Sequence, residues 1–192
     1  MRSCTIGVTF VWCAISSAAG AQPPEAQDIV SAFRAICASG ETSQAAELAR
    51  PDALDWRTTG PNAPKGFDQR TQRLSPAGAP LLVLTTMAET SLGERRDSCG
   101  ISSLAPVDGL AGAAQRWLGF APNFAMARSE TFIAIRSGDR WRPSPKLDRG
   151  ELAAVKRQGT LYSVAVLDNG SPPPETGYDV SLVLLRIKAK AD

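Results

Sequence analysis

Cys37 and Cys99 constrain this chain more than any other pair of residues, because joining them would fix a helix to a strand. Whether they can be joined depends on the compartment, and the opening residues bear on that. After Met1-Arg2 no charged residue appears until Glu25. Ile6–Ile15 is an apolar run, followed by Ser16-Ser17-Ala18-Ala19-Gly20-Ala21. A basic start, a short apolar core and a string of small residues make a secretory signal peptide. Ala19-Gly20-Ala21 has the A-x-A cleavage pattern, so the expected cut falls between Ala21 and Gln22. Pro23-Pro24 then keep the new terminus extended.

Two other fates of this segment are weaker. Lipidation needs a small residue directly before the modified cysteine, but Cys13 follows Trp12, and Cys4 precedes the apolar core. A retained anchor needs a long apolar span. Ser3–Ala21 is uncharged, but its second half is Ser, Ala and Gly. The expectation is a signal peptide over residues 1–21 and a single domain over 22–192. That domain would be periplasmic or secreted, without stable membrane insertion.

Cleavage removes Cys4 and Cys13 and leaves two cysteines. In an oxidising compartment such a pair is expected to form a disulfide. Closing a loop of this length is worth roughly 4 kcal/mol in the chain-entropy account. The alternative is two separate buried thiols. A nucleophilic or redox role would need a group that makes a thiolate.

The usual partner for that task is missing, because the sequence contains no histidine. With it go the commonest general base and the usual zinc ligand. Two cysteines cannot build a Cys-rich metal site. The motifs G-x-S-x-G, S-x-x-K, C-x-x-C and G-x-x-x-x-G-K-[ST] are also absent. No cofactor, metal or catalytic residue is therefore expected. The 21 basic and 19 acidic residues give a formal net charge of +2. That balance offers no general attraction to nucleic acid.

Apolar periodicity supplies the elements. Ile29, Val30, Phe33, Ile36 and Cys37 form one helical stripe within residues 25–39, with Glu25 and Asp28 at the start and Gly40 as the stop. A second short helix is expected over residues 43–50, ended by Pro51, and a loop over 58–66. LLVLTTMAE (81–89) reads as a strand, SLGERRD (91–97) as a connection and SCGISSLA (98–105) as the returning strand, with Cys99 near its start. A helix follows from Pro106, with Val107, Leu110, Ala111, Ala114, Trp117 and Leu118 on one face and Gly119 as its end. FAMARS, TFIAIRS, RWRPS, TLYSVAVLD and YDVSLVLLRIK read as strands, with a tight turn at Ser137-Gly138-Asp139 and a short helix over 150–157. Asp168–Gly177, with three consecutive prolines, reads as a hairpin tip. Grouped helices followed by hairpins predict an α+β fold, N-terminal helices packed on a mainly antiparallel sheet.

The F-x-x-x-C of Phe33–Cys37, the leader before it, a later Trp and one distant Cys resemble small exported bacterial proteins. The resemblance covers mainly the first 100 residues. It implies periplasmic export and a single bridge, and no particular activity.

Few residues stand out as functional. Arg136, Arg140, Arg142, Lys146 and Arg149 surround Trp141, and arginine beside an aromatic can hold an anionic sugar, a phosphate or a carboxylate. The plainer reading packs Trp141 on the core and leaves the arginines in water, balanced by Asp139, Asp148 and Glu151. Asp52 and Asp55 precede Trp56, and a carboxylate pair beside an aromatic can act on a glycan. Asp168-Asn169-Gly170 lacks the later acidic positions of a calcium loop and reads as a turn. The leading expectation is a non-catalytic envelope protein that binds a partner protein or a cell-wall component. The alternatives are a histidine-free, carboxylate-dependent enzyme and a purely structural accessory protein.

Overall fold

A computed structural model describes residues 23–39, 55–61, 69–91, 94–138, 140–144, 147–168 and 180–189. Three helices and nine strands follow in the order α1 (Ala26–Ile36), β1 (Arg57–Pro61), β2 (Gln69–Leu74), β3 (Leu82–Ser91), β4 (Glu94–Ser103), α2 (Leu110–Leu118), β5 (Phe124–Met126), β6 (Ser129–Ser137), β7 (Arg140–Pro143), α3 (Arg149–Gln158), β8 (Leu161–Asp168) and β9 (Val180–Ala189). The fold is α+β, as the residue pattern predicts.

The strands form one sheet in the order β1-β2-β3-β4-β9-β8-β6-β5, with β7 also paired to β6. Every neighbouring pair is antiparallel. β5 pairs with Ser129–Thr131 and β7 with Ala134–Ser137, so the two share the outer edge of β6. β9 joins two half-sheets: β4 on one side and β8 on the other.

Period-two alternation decides which side chains meet the helices. The register aligns Leu84, Ile101, Leu182 and Val166 in one row, and sets Phe132 beside Val164 in the next. These are buried in a common core with Ile29, Val30, Phe33 and Ile36 of α1. Each such side chain fully withdrawn from water is worth about 2 kcal/mol. α1 lies against β4 and β9, and α2 packs on α1 and β8. Leu110, Ala113, Ala114 and Leu118 are the buried residues of α2.

Local chemistry sets the helix ends. The Glu25 backbone N–H donates to Asp28 Oδ2 at 2.8 Å, fixing the first turn of α1. Gly119 ends α2 in the left-handed region, at φ 81°. α3 buries no residue and depends more on its ends. Glu151 N–H donates to Asp148 Oδ1 at 2.8 Å, while Asp148 N–H donates to Glu151 Oε2 at 3.0 Å.

The disulfide Cys37–Cys99 is present, with Cα atoms 5.5 Å apart, inside the 4.4–6.8 Å window such a bond requires. Cys37 caps the end of α1, and both cysteines are fully buried. The bond therefore clamps helix to sheet.

Several sequence expectations shift. Cys99 sits in the middle of β4, because the strand starts at Glu94. The supposed connection over 91–97 is mostly strand: Arg95, Arg96 and Asp97 face Thr90, Glu89 and Ala88. Its charge disguised it, and cross-strand pairing overrode that signal. β1 occupies the start of the expected loop, and Gln69–Leu74, polar throughout most of its length, is also a strand. The helix expected from Pro106 begins only at Leu110, after Gly109 at φ 74°. The expected helix over 43–50 and the hairpin tip beyond Asp168 lie outside the described residues, as do the expected leader over 1–21 and the Ala21/Gln22 junction.

Candidate functional site

A cleft opens between the outer side of α1, the end of α2 and the β6–β7 hairpin. Its volume is about 540 Å3, and its walls include Ser31, Arg34, Ser39, Trp117, Arg136 and Trp141. Four aromatic rings run edge to face beneath it. Phe33 meets Trp117 at 5.5 Å between centroids, Trp117 meets Trp141 at 5.6 Å, and Trp141 meets Tyr162 at 5.2 Å. Such pairs prefer edge-to-face geometry because ring edges are positive and ring faces negative. The chain of contacts fixes both indole rings that border the opening.

Arg136 has a second anchor. It is only 7% exposed, its Nε donates to the Gly138 carbonyl at 2.7 Å, and its guanidinium lies 5.3 Å from the Trp141 ring centroid. The tight turn that holds Gly138 at φ 57° therefore also holds the arginine. Arg34 reaches the same cleft from the exposed side of α1.

The five-residue basic cluster read from the sequence does not gather in one place. Arg136 and Trp141 face each other across β6 and β7 and share the cleft. Arg140 and Arg142 alternate away from Trp141 along β7 and are exposed. Arg149 opens α3 and is exposed, and Lys146 lies outside the described residues. Asp148 and Glu151 cap α3, and Asp139 lies outside the described residues.

The sequence reading missed Arg34, Tyr162 and Arg186. Arg186 is also 7% exposed. Its Nε donates to the Gly159 carbonyl at 2.8 Å, and its guanidinium lies 5.7 Å from the Tyr162 ring centroid. A signal existed: Arg186 falls on the inward parity of β9, two steps of two from Leu182. Trp117, read as a core residue, packs on the core and also lines the cleft.

The carboxylates are elsewhere. Asp97 is fully buried on β4, accepts from Arg95 Nε at 3.0 Å, and faces Arg186 across the β4–β9 ladder. Asp55 is exposed with left-handed backbone, φ 55°, which Asp tolerates better than most residues. Turn geometry is therefore sufficient reason for an aspartate there, and Asp52 lies outside the described residues. Among the described residues, no Asp or Glu lines any of the three main cavities, and no three His, Cys, Asp or Glu side chains gather as metal ligands.

The opposite face of the sheet carries a smaller groove of about 260 Å3, bordered by Met87, Arg96, Leu167, Val183 and Leu185. Nearby β5 exposes Phe124 and Met126, at 64% and 76%.

No family model, curated protein or solved structure matches this chain. None of the described helices is long and apolar enough to cross a membrane.

Proposed function

We propose that this is an exported, non-catalytic protein of the bacterial cell envelope that binds an anionic cell-wall component in the cleft between α1 and the β6–β7 hairpin. One observation carries the reading: two indole rings and two guanidiniums, from Trp117, Trp141, Arg34 and Arg136, border one opening of about 540 Å3. Indole presents a flat apolar surface to a sugar ring, and arginine takes a carboxylate through a bidentate fork. The volume suits a disaccharide or short glycopeptide, whereas a partner protein would need roughly 800 Å2 of contact surface.

The compartment fits. A buried disulfide suits an oxidising extracellular space, and the basic, apolar and small-residue order of residues 1–21 suits export to the periplasm. The carboxylate-enzyme alternative receives no support from the cleft, whose described walls hold no acid.

Calorimetric titration with a soluble, carboxylate-bearing cell-wall glycopeptide tests the reading. Saturable binding is expected, and Arg34→Glu is expected to weaken it at least tenfold, because it reverses a charge at the mouth. Arg34 is exposed, so this variant is expected to fold. Failure of the wild type to bind, or undiminished binding by R34E, would refute the assignment.

A further inference from the structure

The groove of about 260 Å3 has its described walls on strands β3, β4, β8 and β9 alone. The exposed Phe124 and Met126 of β5 belong to the same face of the sheet. Register places them there. Gly100, Val183, Ala165, Thr131 and Phe124 stand in one row across the strands, and Ser102, Ser181, Leu167, Ser129 and Met126 in the next. Their parity is opposite to that of Cys99, Ile101 and Leu182, which share the core with α1. We propose that this face is a docking surface for a second copy of the chain, packed sheet to sheet about a two-fold axis that runs along β8.

Three observations support it. The first is chemistry. Phe124, Met126 and Leu167 are exposed large apolar residues on this one face, and both rows are free of charged residues. A continuous apolar surface marks an interaction site, and an uncharged one meets its own copy without like-charge repulsion. The second is shape. A two-fold axis uses the same surface twice, so one face must offer both the projection and the recess. β4, β9, β8, β6 and β5 are successive in the sheet. Rotation about an axis along β8 therefore lays β5 of each copy over β4 of the other. Phe124 then meets Gly100 and Met126 meets Ser102, where β4 carries its smallest residues and the groove lies between β4 and β9. An apolar cavity of about 150 Å3 already admits a benzene ring, so the groove has room for one. A partner of other chemistry would have to bring the matching relief itself. The third is size. Five strands by five residues measure about 24 Å by about 17 Å. That overlap is about 400 Å2 seen flat-on, and side-chain relief raises it toward the roughly 500 Å2 per partner of the smaller specific interfaces.

The groove shares no wall residue with the cleft, so this inference and the cleft reading can fail independently. Sedimentation velocity of the purified chain over a concentration series up to about 100 µM tests it, a range in which any dimer with a Kd below that value is well populated. A species of twice the chain mass is expected. Phe124→Glu is expected to weaken dimerisation about tenfold or more, with the far-UV circular dichroism of the wild type. Met126→Glu repeats the test at the most exposed position of the patch. Leu167 lies on the proposed axis, so Leu167→Glu and Leu167→Lys each set like charges together, and each alone is expected to be monomeric. Mixing the two is expected to restore the dimer, because unlike charges then meet. A monomeric wild type overturns the proposal, and one that also floats with phosphatidylglycerol vesicles assigns the face to a lipid surface instead. A dimer of wild-type affinity in both F124E and M126E, or a mixture of L167E and L167K that associates no better than either alone, overturns it as well.

Discussion

Arg136 and Trp141 are cross-strand partners in the β6–β7 hairpin, and the guanidinium of one lies 5.3 Å from the ring centroid of the other. The two lie on consecutive strands of the chain, so the contact is local in sequence. Its effect is not local, because Trp141 also meets Trp117 of α2 and Tyr162 of β8. One indole thus ties an edge strand, a helix and an inner strand together.

Trp141→Ala is therefore expected to cost about 2 kcal/mol, below the usual loss for a fully buried Trp because this one is half-buried. Urea denaturation monitored by circular dichroism measures it. A midpoint equal to wild type would mean that the ring contacts contribute nothing to stability.

Reduction of the native protein, or Cys37→Ser, is expected to lower the unfolding free energy by roughly 2–5 kcal/mol. α1 meets the sheet through the bridge as well as through Ile29, Phe33 and Ile36, so the reduced protein is expected to keep its fold at low temperature. Thiol titration of the unreduced protein, followed by denaturation with and without reductant, checks both statements. Two reactive thiols in the native protein would contradict the bridge.

Ser102 and Ser181 face each other across β4 and β9 with their hydroxyls 2.8 Å apart, both buried on the sheet face away from α1. Replacing either by Ala leaves one buried hydroxyl without this partner, at about 1–2 kcal/mol. Replacing both is expected to cost less than the sum of the two. A double-mutant cycle reads that difference, and strict additivity would show that the hydroxyls do not interact.

Asp148→Ala removes the side-chain acceptor at the start of α3 and is expected to cost about 1 kcal/mol. Because α3 buries no residue, the loss is expected to be local. Hydrogen exchange should quicken over Arg149–Gln158 while the amides of β4 and β9 keep their protection. Uniform acceleration through the sheet would show that α3 is integral to the global fold.

Much of this architecture was legible in the residues. The stripe Ile29–Val30–Phe33–Ile36 marked α1, and Gly119 marked the stop of α2, because both signals act within a few turns of chain. Cys99 and Cys37 could be paired because only two cysteines follow residue 21. β2 escaped notice because Gln69–Leu74 lacks apolar alternation, and its pairing with β3 supplies what its own sequence does not. The site was less legible. Arg136, Arg140 and Arg142 looked like one cluster until strand alternation divided them. Phe124 joined Val183 on one face through a sheet order that no local pattern specifies.

That order has a consequence for how the chain assembles. β9 is the last of the described strands in sequence, yet it lies in the middle of the sheet, between β4 and β8. Until residues 180–189 arrive, the inner edges of β4 and β8 have backbone groups with no ladder to join. A chain released gradually from its N-terminal end therefore holds two half-sheets, and neither can close the core alone. The Cys37–Cys99 link needs only the first of them. It can form early and keep α1 seated on β4 while the remaining strands emerge, and insertion of the final strand then completes both halves at once.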